Sequence, residues 1–316
     1  MSLQLDRSIE QVGFAAEILV NAPTEPKLAV GTVQFGLPYG FARPARAVRA
    51  SEVRAILGFA WKNGIDMLDT AADYGDAENV IAAVRPPEAR FRIVSKTTSN
   101  ARANGAPVDV DRVAARVRQS LEHLHVESLD ALLVHHAEDL LAPNGHRLYA
   151  ILATLKSEAL VRRIGVSVYD PETLRRILDH YDIDVVQLPL NMLDQRFLHD
   201  GVLDDLAERH VEVHARSVFL QGVLLADGDR LPVHFDRLRA HLAKLHADVE
   251  EAGLTPAAAA LNFVKGCRQV NRVLIGVDSL SNLKDNVRAF QASAATTLDF
   301  GKYAIEDREM IDPRRW

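Results

Sequence analysis

The sequence predicts a single closed (β/α)8 barrel. Short apolar runs of β type alternate with longer helical patterns along nearly the whole chain, and there are eight such runs. No G-x-G-x-x-G turn, the mark of an open dinucleotide-binding sheet, follows any of them. Near-continuous apolar strands, each leading into a helix, are buried on both faces, as in a parallel sheet. Eight such units in about this length point to closure; an open doubly wound sheet is the structural alternative.

The strands fall at KLAVGT (27–32), GIDMLDT (64–70), FRIVSK (91–96), LDALLVH (129–135), VRRIGVS (161–167), DVVQLP (184–189), VEVHARS (211–217) and RVLIGV (272–277). After the first, Val53, Ile56, Leu57, Ala60 and Trp61 recur at helical spacing behind Ser51, a residue suited to capping. After the third, Val113, Val117, Leu121 and Leu124 do the same behind Asp109 or Asp111. Further helices fit 145–157, 171–180, 199–209, 235–252, 255–267 and 280–290. Pro171 just inside one start and Gly253 just past one end follow the usual asymmetry of helix termini. Residues 1–26 are read as a separate N-terminal segment, hairpin or disordered, and 27–316 as the barrel domain.

A 48% hydrophobic, 25% charged chain can bury a large core and is an ordinary globular composition. The net charge of −6 gives no general affinity for nucleic acid or anionic membranes, and no apolar run reaches spanning length. One cysteine, Cys267, allows no internal disulfide, so a reducing, cytoplasmic setting is expected. The arginines at 43, 46, 49 and 54 read as a solvated loop and helix start.

In such barrels the chemistry sits where strands run out into βα loops. Asp69 ends the second strand, with Tyr74 in its loop; Lys96 ends the third, His135 the fourth, Gln187 the sixth, and Arg216 and Ser217 the seventh. Charged residues are rarely buried unless paired, so Asp69 and Lys96 on adjacent strands are expected partners. A cation about 4 Å from a phenol, at an effective dielectric near 20, is worth roughly 4 kcal/mol, or about three pKa units, against which Asp69 pulls. Tyr74 is thus expected to move toward proton exchange near neutrality, with His135 holding a substrate oxygen against it. Carbonyl reduction, or its reverse, suits these groups. A metal is not expected: His135 and His136, on a continuing strand, would face opposite ways.

At these residues the sequence resembles the aldo-keto reductase superfamily. GIDMLDTAADYG, RIVSK, SLEHLHVESLDALLVH, VRRIGVS and VVQLPLN are similar to its successive strand blocks, over about residues 27–290. The resemblance implies a catalytic tetrad of Asp69, Tyr74, Lys96 and His135, and an NAD(P)H-dependent conversion of small carbonyl compounds or alcohols, with NADP(H) favoured and NAD(H) a competitor. It implies cofactor contacts at Gly31, Thr32, Asp69, Ser167, Gln187, Ser217, Gly276, Asp278, Ser279 and Asn286. Two departures bear on that cradle. Val168 stands where the family usually has Asn. Arg216 stands where many members stack a tyrosine under the nicotinamide, and a flat guanidinium can take that place. Asp278 would repel a 2′-phosphate and suits a 2′-hydroxyl. Tyr39, Asn191, Arg196 and Phe219 are candidate pocket-lining residues, a polar mixture that leans toward a sugar-like substrate. Two other readings stand beside this one: a lyase with Lys96 as Schiff-base nucleophile, and a nucleotide-binding regulatory subunit.

Overall fold

The computed structural model describes residues 26–40, 47–98, 109–292 and 298–316. Eight strands form one closed parallel barrel in sequence order. They are β1 Lys27–Gly31, β2 Met67–Asp69, β3 Arg92–Lys96, β4 Ala131–Val134, β5 Ile164–Ser167, β6 Val185–Pro189, β7 Glu212–Arg216 and β8 Arg272–Gly276. All eight expected strands are present, several of them trimmed. A strand lasts only while a neighbour supplies ladder partners, and β2 meets β1 at Val30↔Leu68 and Gly31↔Asp69 alone. Most of residues 1–26, the expected N-terminal segment, lies outside the described residues.

The helices pack outside the barrel: Ala50–Lys62, Val110–Leu124, Gly145–Ser157, Pro171–Leu178, Val202–Glu208, Asp236–Glu251, Pro256–Lys265 and Leu280–Gln291. Asp170 accepts from the amide of Thr173 ahead of Pro171, and Thr255 caps the next Pro-led helix in the same way. Ser51, expected as a cap, sits inside its helix, whose N-cap is Arg49. The sequence pattern did not reveal Ala77–Val84, an eight-residue helix between β2 and β3 that buries Ala77, Glu78, Ile81 and Val84. Two turns are too few for helical spacing to stand out.

Strand alternation divides the core in two. Outward residues such as Val30, Leu68, Ile93, Leu132, Val186 and Ile275 pack against the helices. Inward residues Ala29, Met67, Val94, Ala131, Leu133, Val185 and Leu274 fill the barrel. Two residues beyond an inward residue lies another on the same face. Met67 therefore leads to Asp69, Val94 to Lys96, Val185 to Gln187, and Ala29 and Leu274 to Gly31 and Gly276, while His135 joins them just past the end of β4. That layer is the floor of the site.

The opposite end of the barrel is closed by charge. Arg92 makes a two-pronged contact with Asp130 at 3.0 and 3.1 Å, and Arg163 joins Asp130 to Glu212. Arg272 reaches Asp66 at 2.6 Å, and Glu212 accepts from the fully buried His214 at 2.9 Å. Burial would raise the Glu212 carboxyl, but the His214 and Arg163 contacts outweigh it and bring it from 4.5 to about 2. A depressed carboxyl stabilises the fold above its unfolded pKa, and that contribution is lost as the pH falls toward the folded value. Glu212→Gln should therefore lower the melting temperature at neutral pH and flatten its decline between pH 4.5 and 2. An unchanged acid limb in a thermal melt series would show that other groups control it.

Candidate active site

Lys96 and Asp69 meet as expected. Lys96 Nζ donates to Asp69 Oδ2 at 2.7 Å and to the Thr70 carbonyl at 2.9 Å, with both side chains buried. The other carboxylate oxygen, Oδ1, accepts from Gln187 Nε2 at 2.7 Å. Asp69 is thus held from β3 and β6 at once, and the charge of Lys96 is matched where it is buried.

Tyr74 lies over this pair, with Lys96 Nζ 5.1 Å from its ring centroid. The His135 ring meets it edge-on at 6.1 Å. The loop carrying Tyr74 is seated by close backbone contact: a Cβ on Gly36 would stand 1.9 Å from the Tyr74 carbonyl. Only glycine fits there, which gives the QFGLPYG stretch a physical reason.

The electrostatics differ from the sequence expectation in one respect. Burial pushes the Tyr74 phenol well above its ordinary value, Asp69 adds to that rise, and Arg216 opposes it. The expected net fall is not found: Asp69 at 2.7 Å matches much of the Lys96 charge, and burial together with Asp69 outweighs the pull that remains. Tyr74 is therefore a phenol holding its proton at neutral pH. Burial also draws Lys96 downward, against the upward pull of Asp69. His135 is pushed down to about 3 by burial and then by Lys96, so its imidazole is neutral. Its Nδ1 is buried with no hydrogen-bond partner.

The expected opposition of His135 and His136 is not found. Their rings stack at 5.1 Å and 15°, because β4 ends at Val134 and strand alternation no longer applies beyond it. Among the described residues, no group of three or more His, Cys, Asp or Glu side chains comes together to hold a metal. No described helix is long and apolar enough to cross a membrane.

A cleft of about 510 Å³ opens over these groups. It has the size of a small-molecule site. Of the expected residues, Gly31, Asp69, Tyr74, Lys96, His135, Ser167, Gln187, Arg216, Ser217, Gly276 and Asp278 line it, as do Tyr39 and Phe219. Five expected residues do not. Thr32 is fully buried and donates its hydroxyl to the Asp69 carbonyl, pinning β1 to β2. Asn191 is fully buried, accepting from the amides of Leu193 and Asp194 and donating to the Ser217 carbonyl. Arg196 forks onto buried Asp194 at 2.8 Å through both nitrogens. Ser279 caps the helix Leu280–Gln291, accepting from the Asn282 amide and donating to Asp278. Asn286 is buried and donates to Asn282 Oδ1.

Several cleft residues had no signal strong enough to be singled out. Gln34, Tyr169, Gln221, Arg230 and Asn282 all line it. Gln34 Oε1 is buried without a partner. Gln221 Nε2 donates to the Tyr39 hydroxyl at 3.0 Å, joining the loops after β7 and β1. Glu52 Oε1 accepts from the Leu280 amide at 2.6 Å, so a carboxylate from the first long helix sits at the start of the last. Tyr169 is flanked by two guanidiniums, Arg216 at 4.0 Å and Arg314 at 3.7 Å from its centroid. Arg216 is thus stacked on a side chain of the protein itself.

A nicotinamide cofactor fits this cleft. Gly31 and Gly276 line it at the ends of β1 and β8, Gly276 giving room to the Gln34 side chain, hydroxyls of Ser167 and Ser217 border it, and the unpartnered Gln34 Oε1 and His135 Nδ1 leave polar atoms to be satisfied.

The sequence profile of the Aldo/keto reductase family matches residues 27–302. A D-threo-aldose 1-dehydrogenase from Pseudomonas sp is 25% identical over 305 residues, covering 83% of this chain and 92% of that protein. A valine dehydrogenase from Streptomyces virginiae is 28% identical over 166 residues, 49% of this chain and 46% of that protein, so the likeness spans under half of it. Among solved structures, an aldo-keto reductase from Bacillus halodurans superimposes with a TM-score of 0.70 at 20% identity, covering 90% of this chain and 95% of that one. At that identity the superposition shows the barrel alone. The match across residues 27–302, on a barrel whose strand ends carry these groups, means that the chain is an NAD(P)-dependent oxidoreductase and belongs to the aldo/keto reductase family.

Proposed function

We propose that this enzyme interconverts a small hydroxylated, sugar-like carbonyl compound and its alcohol, with Tyr74 as the proton donor and acceptor. The observation that carries the reading is the convergence of Tyr74, the Lys96–Asp69 pair and His135 on one cleft. The bound nicotinamide supplies or accepts the hydride. The chain's own residues manage the proton and the oxygen. In reduction, a carbonyl oxygen gathers negative charge as the hydride arrives, and the protonated Tyr74 hydroxyl delivers its proton to that oxygen. Lys96, fixed by Asp69, offsets the charge left on the phenolate. Neutral His135 orients the carbonyl by a hydrogen bond without adding a second cation. In oxidation the same groups run in reverse. The similarity to an aldose dehydrogenase supports a sugar-like substrate.

A Schiff-base role for Lys96 fits less well. Its amine is engaged by Asp69 and Thr70, at 2.7 and 2.9 Å, leaving it poorly placed to attack a carbonyl.

The resemblance favours NADP(H), but the start of the last helix favours NAD(H). The Leu280 amide is already taken by the Glu52 carboxylate, which would repel a 2′-phosphate there. Fluorescence titration of the protein with NADH and NADPH tests both statements. The expected result is tight binding with a several-fold preference for NADH, and Glu52→Gln should narrow that preference. Tighter NADPH binding would overturn the discrimination and leave the reductase reading intact. Binding of neither nucleotide would remove the reading itself.

A further inference from the structure

We propose that Arg216 anchors a carboxylate of the substrate, so that the carbonyl compound this enzyme takes is an anionic, sugar-acid type of molecule. The inference rests on the oxidoreductase reading above and names the substrate class of that same cleft.

Several other partly buried arginines have counter-charges. Arg92 and Arg163 hold Asp130, Arg272 holds Asp66, and Arg196 holds Asp194. Lys96, beneath Tyr74, holds Asp69. Arg216 differs. It lines the cleft, yet among the described residues its contacts are all neutral: the Val168 carbonyl at 2.9 Å, the Ser217 hydroxyl at 3.3 Å and the Tyr169 ring at 4.0 Å. A half-buried cation with no counter-ion of its own is a site for an arriving anion.

The guanidinium is also held in place before any ligand arrives. Tyr169 covers one of its faces, and Arg314 backs Tyr169 at 3.7 Å. Arg314 is itself fixed by Asp312, through hydrogen bonds of 2.6 to 3.2 Å. Val168 supplies the carbonyl that fixes one end of the Arg216 fork. A pre-oriented planar fork suits a carboxylate, which it can meet with two parallel hydrogen bonds.

Position strengthens the assignment. Arg216 and Tyr74 line the same cleft, and the guanidinium opposes the rise in the phenol's pKa, so an anion held there shares the pocket with the proton donor. The rival use of Arg216, stacking beneath the nicotinamide, places a cation against a ring that is itself positive when oxidised. A substrate carboxylate gains from the same charge.

The test compares D-glucuronate and D-galacturonate with D-glucose and D-galactose, in both reaction directions, using cofactor-loaded enzyme. Each pair differs only in a carboxylate against a hydroxymethyl group. DL-glyceraldehyde serves as a small neutral carbonyl. The expected result is a kcat/KM for the uronates roughly 10- to 100-fold higher, carried mainly by KM and shrinking with added salt. In Arg216→Gln the ratio of acid to neutral substrate should collapse toward one, and Arg216→Lys should restore part of it. The ratio is the readout because it is unmoved by a loss of Tyr74 reactivity common to both substrates. Calorimetric binding of D-glucuronate to the loaded enzyme should weaken in parallel, while the melting temperature confirms folding. Equal use of neutral and acidic substrates, or an acid preference that survives Arg216→Gln, would overturn the proposal and leave the oxidoreductase reading standing. A large rise in nicotinamide dissociation constant in Arg216→Gln, with the acid-to-neutral ratio unchanged, would return Arg216 to the cofactor. Absence of turnover with every carbonyl and alcohol tried would end both readings together.

Discussion

Tyr74→Phe should lower kcat by roughly 10²- to 10⁴-fold while leaving nicotinamide binding within a few-fold of the original. The substitution removes one hydroxyl and keeps the ring that packs at 6.1 Å from His135 and 5.1 Å from Lys96 Nζ. The fold and the cleft should therefore persist, and the loss should fall on the chemical step. The pH dependence carries a second signature. Since His135 titrates only near 3, its protonation cannot limit the rate near neutrality. Since burial holds the Tyr74 proton, reduction should keep its rate well into the alkaline range, and oxidation, which needs the phenolate, should rise with pH. Steady-state rates in both directions across pH check this. A Tyr74→Phe variant with near-normal kcat would remove Tyr74 from the chemistry.

Lys96→Met should be damaging in two separable ways. It leaves the Asp69 carboxylate buried without its cation, and breaking a buried pair of this kind costs about 3–5 kcal/mol. Gln187 still donates to Asp69 at 2.7 Å, so the loss should lie toward the lower end of that range. Turnover should fall as well, because nothing then offsets the phenolate left by proton transfer. Adding Asp69→Asn removes the stranded charge. The double variant should recover much of the melting temperature and none of the activity. Recovery of both would mean that the pair serves the fold alone; recovery of neither would mean that Lys96 is held chiefly by the Thr70 carbonyl.

The candidate site was legible where it depends on strand geometry. Asp69, Lys96, His135, Ser167, Gln187 and Arg216 stand at or just past the ends of apolar runs, and all of them reach the cleft. Asn191 and Arg196 were chosen for residue type in a loop, with no periodicity to orient them. Both turned to local partners: Asn191 to the amides two and three residues on, and Arg196 to the carboxylate two residues back. Tyr169 and Arg314 could not have been joined from the sequence, since their meeting depends on how the C-terminal segment returns to the barrel.

The sequence by itself determined the eight apolar strand runs and the strand-end places of Asp69, Lys96 and Gln187, and it pointed to a closed barrel with an open sheet as the alternative. Each follows from a short-range regularity: apolar runs of strand length, a side-chain alternation of two, and helices between them. Tertiary structure alone decided that Gln187 supports Asp69, that Glu52 occupies the Leu280 amide, that Arg216 lies on Tyr169, and that the Tyr74 phenol is driven up rather than down. The reason is range. Alternation is fixed by the geometry of neighbouring residues, whereas a charge's environment is a sum over desolvation and partners from distant parts of the chain, and its sign is settled only when those parts meet.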